Sequence, residues 1–166
     1  ICTTTEANLG DGLFELADLR ARGGAWGIGS DSHIGLDPRE ELRWLEYQAR
    51  LATGRRTVLA NAGAADVGVN LWNEAVQGGS QAAGSGSGGL QVGADADWLV
   101  LDAEDATLAG CTVDQVMGAW MFGPARRPIA TVGVRGRECV QAGRHRQRER
   151  FESEYRELMQ AGAGLA

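Results

Sequence analysis

The stretch Trp26-Gly27-Ile28-Gly29-Ser30-Asp31-Ser32-His33 limits what this chain can build more than any other. It is a short apolar run, bounded upstream by Gly23-Gly24 and broken abruptly by polar residues. That pattern predicts a buried parallel strand. Its C-terminal edge, where α/β barrels carry their chemistry, then presents Ser30, Asp31, Ser32 and His33. A carboxylate at that edge can ligate a divalent metal, take a proton from water and return it to a leaving group. The same residues also suit a structural role, because Ser30, Asp31 or Ser32 can cap a turn or the helix that follows.

The flanks supply the rest of a βα unit. Upstream, Ile1 and Cys2 read as the stub of a strand, followed by the polar run Thr3 to Asn8 and the glycines Gly10 and Gly12, which predict a loop. Polar loops directly after a strand are where an α/β enzyme meets its substrate, although a solvated turn has the same composition. Leu13, Leu16, Ala17 and Leu19 follow helical spacing up to the stop at Gly23-Gly24. Downstream, Asp37 can cap a helix, Pro38 suits its first turn, and Glu40 completes an Asp-x-x-Glu box. Leu42, Leu45, Ala49 and Ala52 line one face, Arg39, Glu40, Arg43, Glu46 and Arg50 decorate the others, and Gly54 ends the helix. A further helix over 64–83 carries Val67, Leu71 and Ala75 on one stripe. Its small residues Gly78, Gly79, Ala82 and Ala83 permit close approach to a neighbour.

Gly84-Ser85-Gly86-Ser87-Gly88-Gly89 satisfies the letter of a dinucleotide-binding fingerprint. That fingerprint works only after a strand and before a helix, so that a pyrophosphate reaches the helix N-terminus. Here a helix precedes and extended segments follow, and the stretch reads as a flexible linker. Beyond it, Leu90-Gln91-Val92 and Trp98 to Asp102 predict short strands. Thr112-x-x-Gln115 opens a helix with Val113, Val116, Met117 and Trp120 on one face. Ile129 to Val134 and Cys139-Val140 flank Arg135-Gly136-Arg137-Glu138, a hairpin signature. A charged helix over 145–160 closes the pattern, with 148/152, 150/154 and 152/156 pairs of opposite charge.

Composition removes several function classes. The 16 basic residues, all Arg, stand against 22 acidic ones for a net charge of -6, which argues against nucleic-acid partners or an anionic membrane surface. With no Lys, neither a Schiff base nor a P-loop lysine can be supplied by this chain. Cys2, Cys111 and Cys139 are too few and too scattered for a disulfide framework, which suits a reducing cytoplasm. No apolar run reaches the ~20 residues that span a bilayer. The chain opens on Ile and enters polar sequence within two residues, so it reads as cut from a longer protein.

A βα unit, a strand tipped by Asp, two helices and a small β-region resemble the C-terminal part of an amidohydrolase-superfamily enzyme. Gly93-Ala94-Asp95-Ala96-Asp97-Trp98-Leu99-Val100-Leu101-Asp102 is similar to that family's "G-x-x-ADLVVLD" strand, and Val134-Arg135-Gly136 to its final "V-x-G" hairpin. Within the superfamily, Thr4 to Gly12, Gly29-Ser30-Asp31-Ser32-His33 and Asp37 to Glu46 together resemble the formimidoylglutamate deiminase family. Thr3 stands where that family usually has Pro, a departure bearing on rigidity more than chemistry.

The resemblance implies an α/β fold: the end of a metal-dependent (β/α)8 barrel over residues 1–83, part of the accompanying β-sandwich over 84–143, and a terminal helix over 144–166. It implies that Asp31 is both metal ligand and proton shuttle, that Thr5, Glu6 and Asn8 lie beside the substrate, and that Ser30 and His33 support the site. It further implies zinc, a small-molecule substrate and a homo-oligomer when intact. The reaction implied is hydrolysis of N-formimidoyl-L-glutamate to N-formyl-L-glutamate and ammonia in histidine degradation. The family's His-x-His pair, central histidines and Glu acid/base have no counterpart here, so the chain alone is expected to be inactive. A nucleobase or triazine deaminase and a non-enzymatic remnant are the alternative readings.

Overall fold

The computed structural model describes residues 1–61, 66–85, 88–124 and 128–163. They fall into two compact units, Ile1–Ala94 with Ala103–Arg126, and Asp95–Asp102 with Arg127–Ala166. The divisions expected after residues 83 and 143 lie inside the first and second unit respectively.

The first unit is built from five helices: α1 (Thr3–Leu9), α2 (Leu16–Ala21), α3 (Pro38–Thr53), α4 (Val67–Ala82) and α5 (Val113–Phe122). Its core gathers Leu16, Trp26, Leu42, Leu45, Leu59, Val67, Leu71, Ala75 and Met121. Local signals account for most of the helix ends. Asp37 caps α3 by accepting from the Arg39 amide at 3.0 Å, Pro38 occupies the first turn, and Gly54 ends the helix in the left-handed region at φ 66°. Asp66 caps α4 through the Val69 amide, and the expected start of that helix at residues 64 and 65 lies outside the described residues. The predicted core stripe of α4, Val67, Leu71 and Ala75, is buried as expected.

The expected strand at Trp26 is present as extended chain rather than as a ladder. Ile1 N donates to Gly27 O at 3.0 Å and Gly29 N donates to Ile1 O at 2.9 Å. One residue bonded to both neighbours of Ile28 is the hydrogen-bond pattern of a single parallel bridge. On its other side the segment lies against the backbone of α4. A Cβ on Gly78 would overlap the Trp26 carbonyl oxygen, whereas one on Gly79 would meet open space. Gly78→Ala is therefore expected to destabilise the unit by about 1–3 kcal/mol through overpacking. Gly79→Ala, which only removes a helix-weakening glycine, should be neutral or stabilising by up to ~1 kcal/mol. Urea midpoints of the two variants check the contrast, and equal midpoints would contradict the close approach.

Several expectations fail where charge meets core. Arg39 and Glu46, expected on a solvated face of α3, are 3% and 0% exposed. Both are satisfied by partners, as buried charges must be. Arg39 holds Asp37 at 2.6 Å and donates to the Trp120 carbonyl, while Glu46 accepts from the Val58 and Leu59 amides and from Arg50. Arg43 donates to the carbonyls of Met121 and Gly123, satisfying the C-terminal end of α5. In α5 the Thr112 amide donates to Gln115 Oε1 as the box predicts, yet Val113 is exposed and the buried pair is Trp120 and Met121. Leu90-Gln91-Val92 is not a strand, and Leu90 and Val92 are exposed. Among the described residues nothing pairs with that segment, and an unpaired strand has no independent stability in water.

The second unit is an antiparallel sheet, β1 (Trp98–Leu101), β2 (Ile129–Val134), β3 (Arg137–Gln141) and β4 (Arg144–His145) in sequential order, followed by α6 (Arg148–Ala163). The predicted hairpin closes through Arg135 and Gly136, both at positive φ (48° and 75°), as a two-residue primed turn requires. Ala142 and Gly143 repeat the device at 47° and 71°, adding the β3–β4 hairpin that the sequence reading missed. All three expected ion pairs of α6 form, at 2.6, 3.2 and 3.6 Å. The Arg148 hydrogen bond, aided by the charges of Arg148 and Arg156, holds the Glu152 carboxyl below its ordinary range. That contribution to α6 is present above the ordinary carboxylate pKa and is lost as pH falls through the lowered one. No described helix is long and apolar enough to cross a membrane.

Candidate active site

Asp31 sits where the extended segment ends, in a turn closed by the His33 amide donating to Ser30 O at 2.7 Å. Asp31 and His33 both occupy the left-handed region, at φ 40° and 60°. Asp and His are among the few non-glycine residues that adopt that region readily, so both suit the turn. The side chains of Asp31, Ser32 and His33 are exposed. Among the described residues no hydrogen bond or ion pair engages the Asp31 carboxylate, so it remains available to an outside partner.

The turn is gripped by α1. Thr5 Oγ1 lies 3.3 Å from Ser30 O and 3.2 Å from Ser32 Oγ, so one buried hydroxyl touches both sides of Asp31. Residues Thr3–Leu9 form a helix, not the expected loop. The reason is Glu41 on α3, whose carboxylate accepts from the Thr3 hydroxyl at 2.8 Å, the Thr4 amide at 3.1 Å and the Thr4 hydroxyl. An acceptor at that position satisfies donors that the first turn of a helix leaves unpaired. Thr3, Thr4, Thr5 and Glu41 are all buried. The sequence reading missed Glu41. The available signal was its place in Glu41-Leu42-Leu45-Gln48, polar residues interleaved with the apolar face of α3.

Among the remaining candidates, Ser30 joins Thr5 through its carbonyl and lines a cavity of 150 Å³ together with Ile28, Gly35, Asp37 and Glu41. Glu6 turns back on its own helix, accepting from the Cys2 amide at 3.0 Å. It borders a separate depression of 250 Å³ with Trp44 and Gln48. Asn8 is exposed near the end of α1. The structure therefore brings Thr5, Ser30 and the Asp31 turn together, while Glu6 lines a different depression and Asn8 is exposed.

No protein-family model matches the chain. Over 150 residues it is 46% identical to formimidoylglutamate deiminase of Pseudomonas aeruginosa, an alignment covering 90% of this chain and 33% of that enzyme. The chain is thus similar to about one third of a formimidoylglutamate deiminase. An amidohydrolase from Brucella melitensis superposes on 99% of this chain and 36% of its own, with a TM-score of 0.89 and 41% identity. An atrazine chlorohydrolase from Arthrobacter aurescens, complexed with zinc, has the same fold over 95% of the chain and 34% of its own, with a TM-score of 0.78 and 20% identity. The chain thus spans about one third of the length of these relatives. Its relatives are amidohydrolases, enzymes that hydrolyse or deaminate small molecules.

A metal does not find a full ligand set here. Among the described residues no three His, Cys, Asp or Glu side chains converge to hold an ion. Catalytic zinc generally requires three protein ligands. Asp31 is one unengaged carboxylate at the end of the extended segment and fits a single position in such a set.

Proposed function

We propose that this chain supplies the C-terminal portion of an enzyme that hydrolyses N-formimidoyl-L-glutamate to N-formyl-L-glutamate and ammonia. In this reading residues 1–83 complete a (β/α)8 barrel, residues 84–143 belong to its β-sandwich, and residues 144–166 form a terminal helix. Asp31 accepts the proton of the attacking water and passes it to the departing nitrogen, the shuttle that C–N hydrolysis needs at neutral pH. It also contributes one carboxylate to a zinc whose other ligands lie outside these 166 residues; the metal supplies Lewis acidity when bound. Thr5 and Ser30 hold the turn and His33 is part of it, while Thr5, Glu6 and Asn8 lie on the substrate side in the intact enzyme. The proposal extends to an intact enzyme that acts in the cytoplasm as a homo-oligomer.

The observation that carries the proposal is the exposed, unengaged Asp31 at the end of a parallel-bridged segment, in a chain 46% identical over 150 residues to a formimidoylglutamate deiminase. The test is an ammonia-release assay on the complete enzyme. N-formimidoyl-L-glutamate should be turned over at least ~10²-fold faster than guanine or cytosine, because a site built to pair a substrate's polar groups rejects ligands that leave them unpaired. A reversed preference would move the assignment to the nucleobase deaminases.

A further inference from the structure

We infer that Glu41 is a positioning residue for the Asp31 turn, acting through the threonine run of α1; the inference rests on the role proposed for Asp31. Glu41 lies ten residues beyond Asp31 on a different element, and its carboxylate is buried and fully engaged by α1. The Thr3 hydroxyl lies 2.8 Å from both the Glu41 carbonyl and Oε2, so its one proton is shared between two acceptors of the same residue. These bonds fix the first turn of a helix only seven residues long. Isolated helices of that length are unstable in water, so α1 exists because its N-terminus is held.

What α1 then holds is the catalytic turn, at two points. Thr5, next along the run, contacts Ser30 O and Ser32 Oγ on either side of Asp31. Thr4, which Glu41 binds through both amide and hydroxyl, packs against Gly35, where an added Cβ would come within 2.9 Å of its hydroxyl oxygen. Glu41 therefore constrains the chain before and after Asp31 through adjacent threonines. The turn holds Asp31 and His33 at positive φ, and the contacts of α1 fix it on both sides of Asp31. Those contacts are braced by one carboxylate, that of Glu41. An error of about 1 Å at a proton-transferring group can reduce turnover ~10²-fold, so this route bears on catalysis without Glu41 meeting substrate.

The experiment has two arms and three variants, Thr5→Val, Glu41→Gln and the pair combined. Thr5→Val keeps shape and removes only the hydroxyl; Glu41→Gln keeps the volume and one acceptor. In the 166-residue chain, amide exchange should accelerate at least about tenfold at His33 in each variant, with Leu71 and Ala75 on α4 unchanged. In the complete enzyme, each single substitution should lower kcat at least about tenfold with KM nearly constant, and the double variant should be no worse than the poorer single one. Unchanged His33 exchange, uniform acceleration that includes α4, or additive kcat losses would each overturn the inference. Asp31→Asn run alongside separates the two ideas. If that variant retains turnover, the role of Asp31 fails, while the exchange arm still decides whether Glu41 holds the turn.

Discussion

In the complete enzyme, Asp31→Asn is expected to lower kcat/KM for N-formimidoyl-L-glutamate by at least ~10²-fold, the usual effect of removing a general base. Asn preserves the size of the side chain but loses the negative charge and the capacity to take a proton. It is also the substitution best matched to the backbone. Asp31 has φ 40°, and Asn, like Asp, is among the few non-glycine residues that tolerate the left-handed region. Ala would combine loss of the carboxylate with added strain and obscure the result. Because no described residue hydrogen-bonds the Asp31 carboxylate, the fold has little to lose, and circular dichroism should be unchanged. Near-normal formylglutamate production by a folded Asp31→Asn enzyme would remove Asp31 from the mechanism.

The second large effect is an expected absence of activity. Residues 1–166 by themselves should bind no stoichiometric zinc at micromolar concentration and should release no ammonia. The chain has two histidines, His33 and His145, and no metal-holding cluster among its described residues. The residues outside that description are Ala, Gly, Ser, Arg and Leu, none of them a common zinc ligand. Asp31 with His33 would still fall short of three ligands. The extended segment adds a second consequence, since among the described residues its only ladder bonds are those to Ile1, little pairing for an extended chain. Unpaired strand edges promote association, so the isolated chain should self-associate in sedimentation measurements. A monomer retaining one zinc after dialysis, by elemental mass spectrometry, together with ammonia release, would overturn this expectation.

Much of this protein was legible in its sequence because the signals act within a few residues. Asp37-Pro38 and Gly54 bracket α3, Thr112 and Gln115 open α5, Arg135-Gly136 turns the hairpin, and the 148/152, 150/154 and 152/156 pairs brace α6. Each is a bond or dihedral preference that local chemistry satisfies with no partner elsewhere. The polar end of the Trp26 segment also announced the Asp31 turn, since an apolar run stops where burial stops.

Tertiary structure decided the matters that depend on distant partners. Thr3–Leu9 has the composition of a loop and becomes a helix because Glu41, 37 residues beyond Thr4, satisfies its first donors. Arg39 and Glu46 have the periodicity of solvated residues and are buried because carbonyls near Trp120 and amides at Val58 and Leu59 receive them. Leu90 and Val92 have the pattern of a strand and are exposed because no described segment pairs with them. A charge or an extended segment reads the same in sequence whether or not a partner awaits it. Desolvation penalises the unpaired case by several kcal/mol, and only the fold determines which case applies.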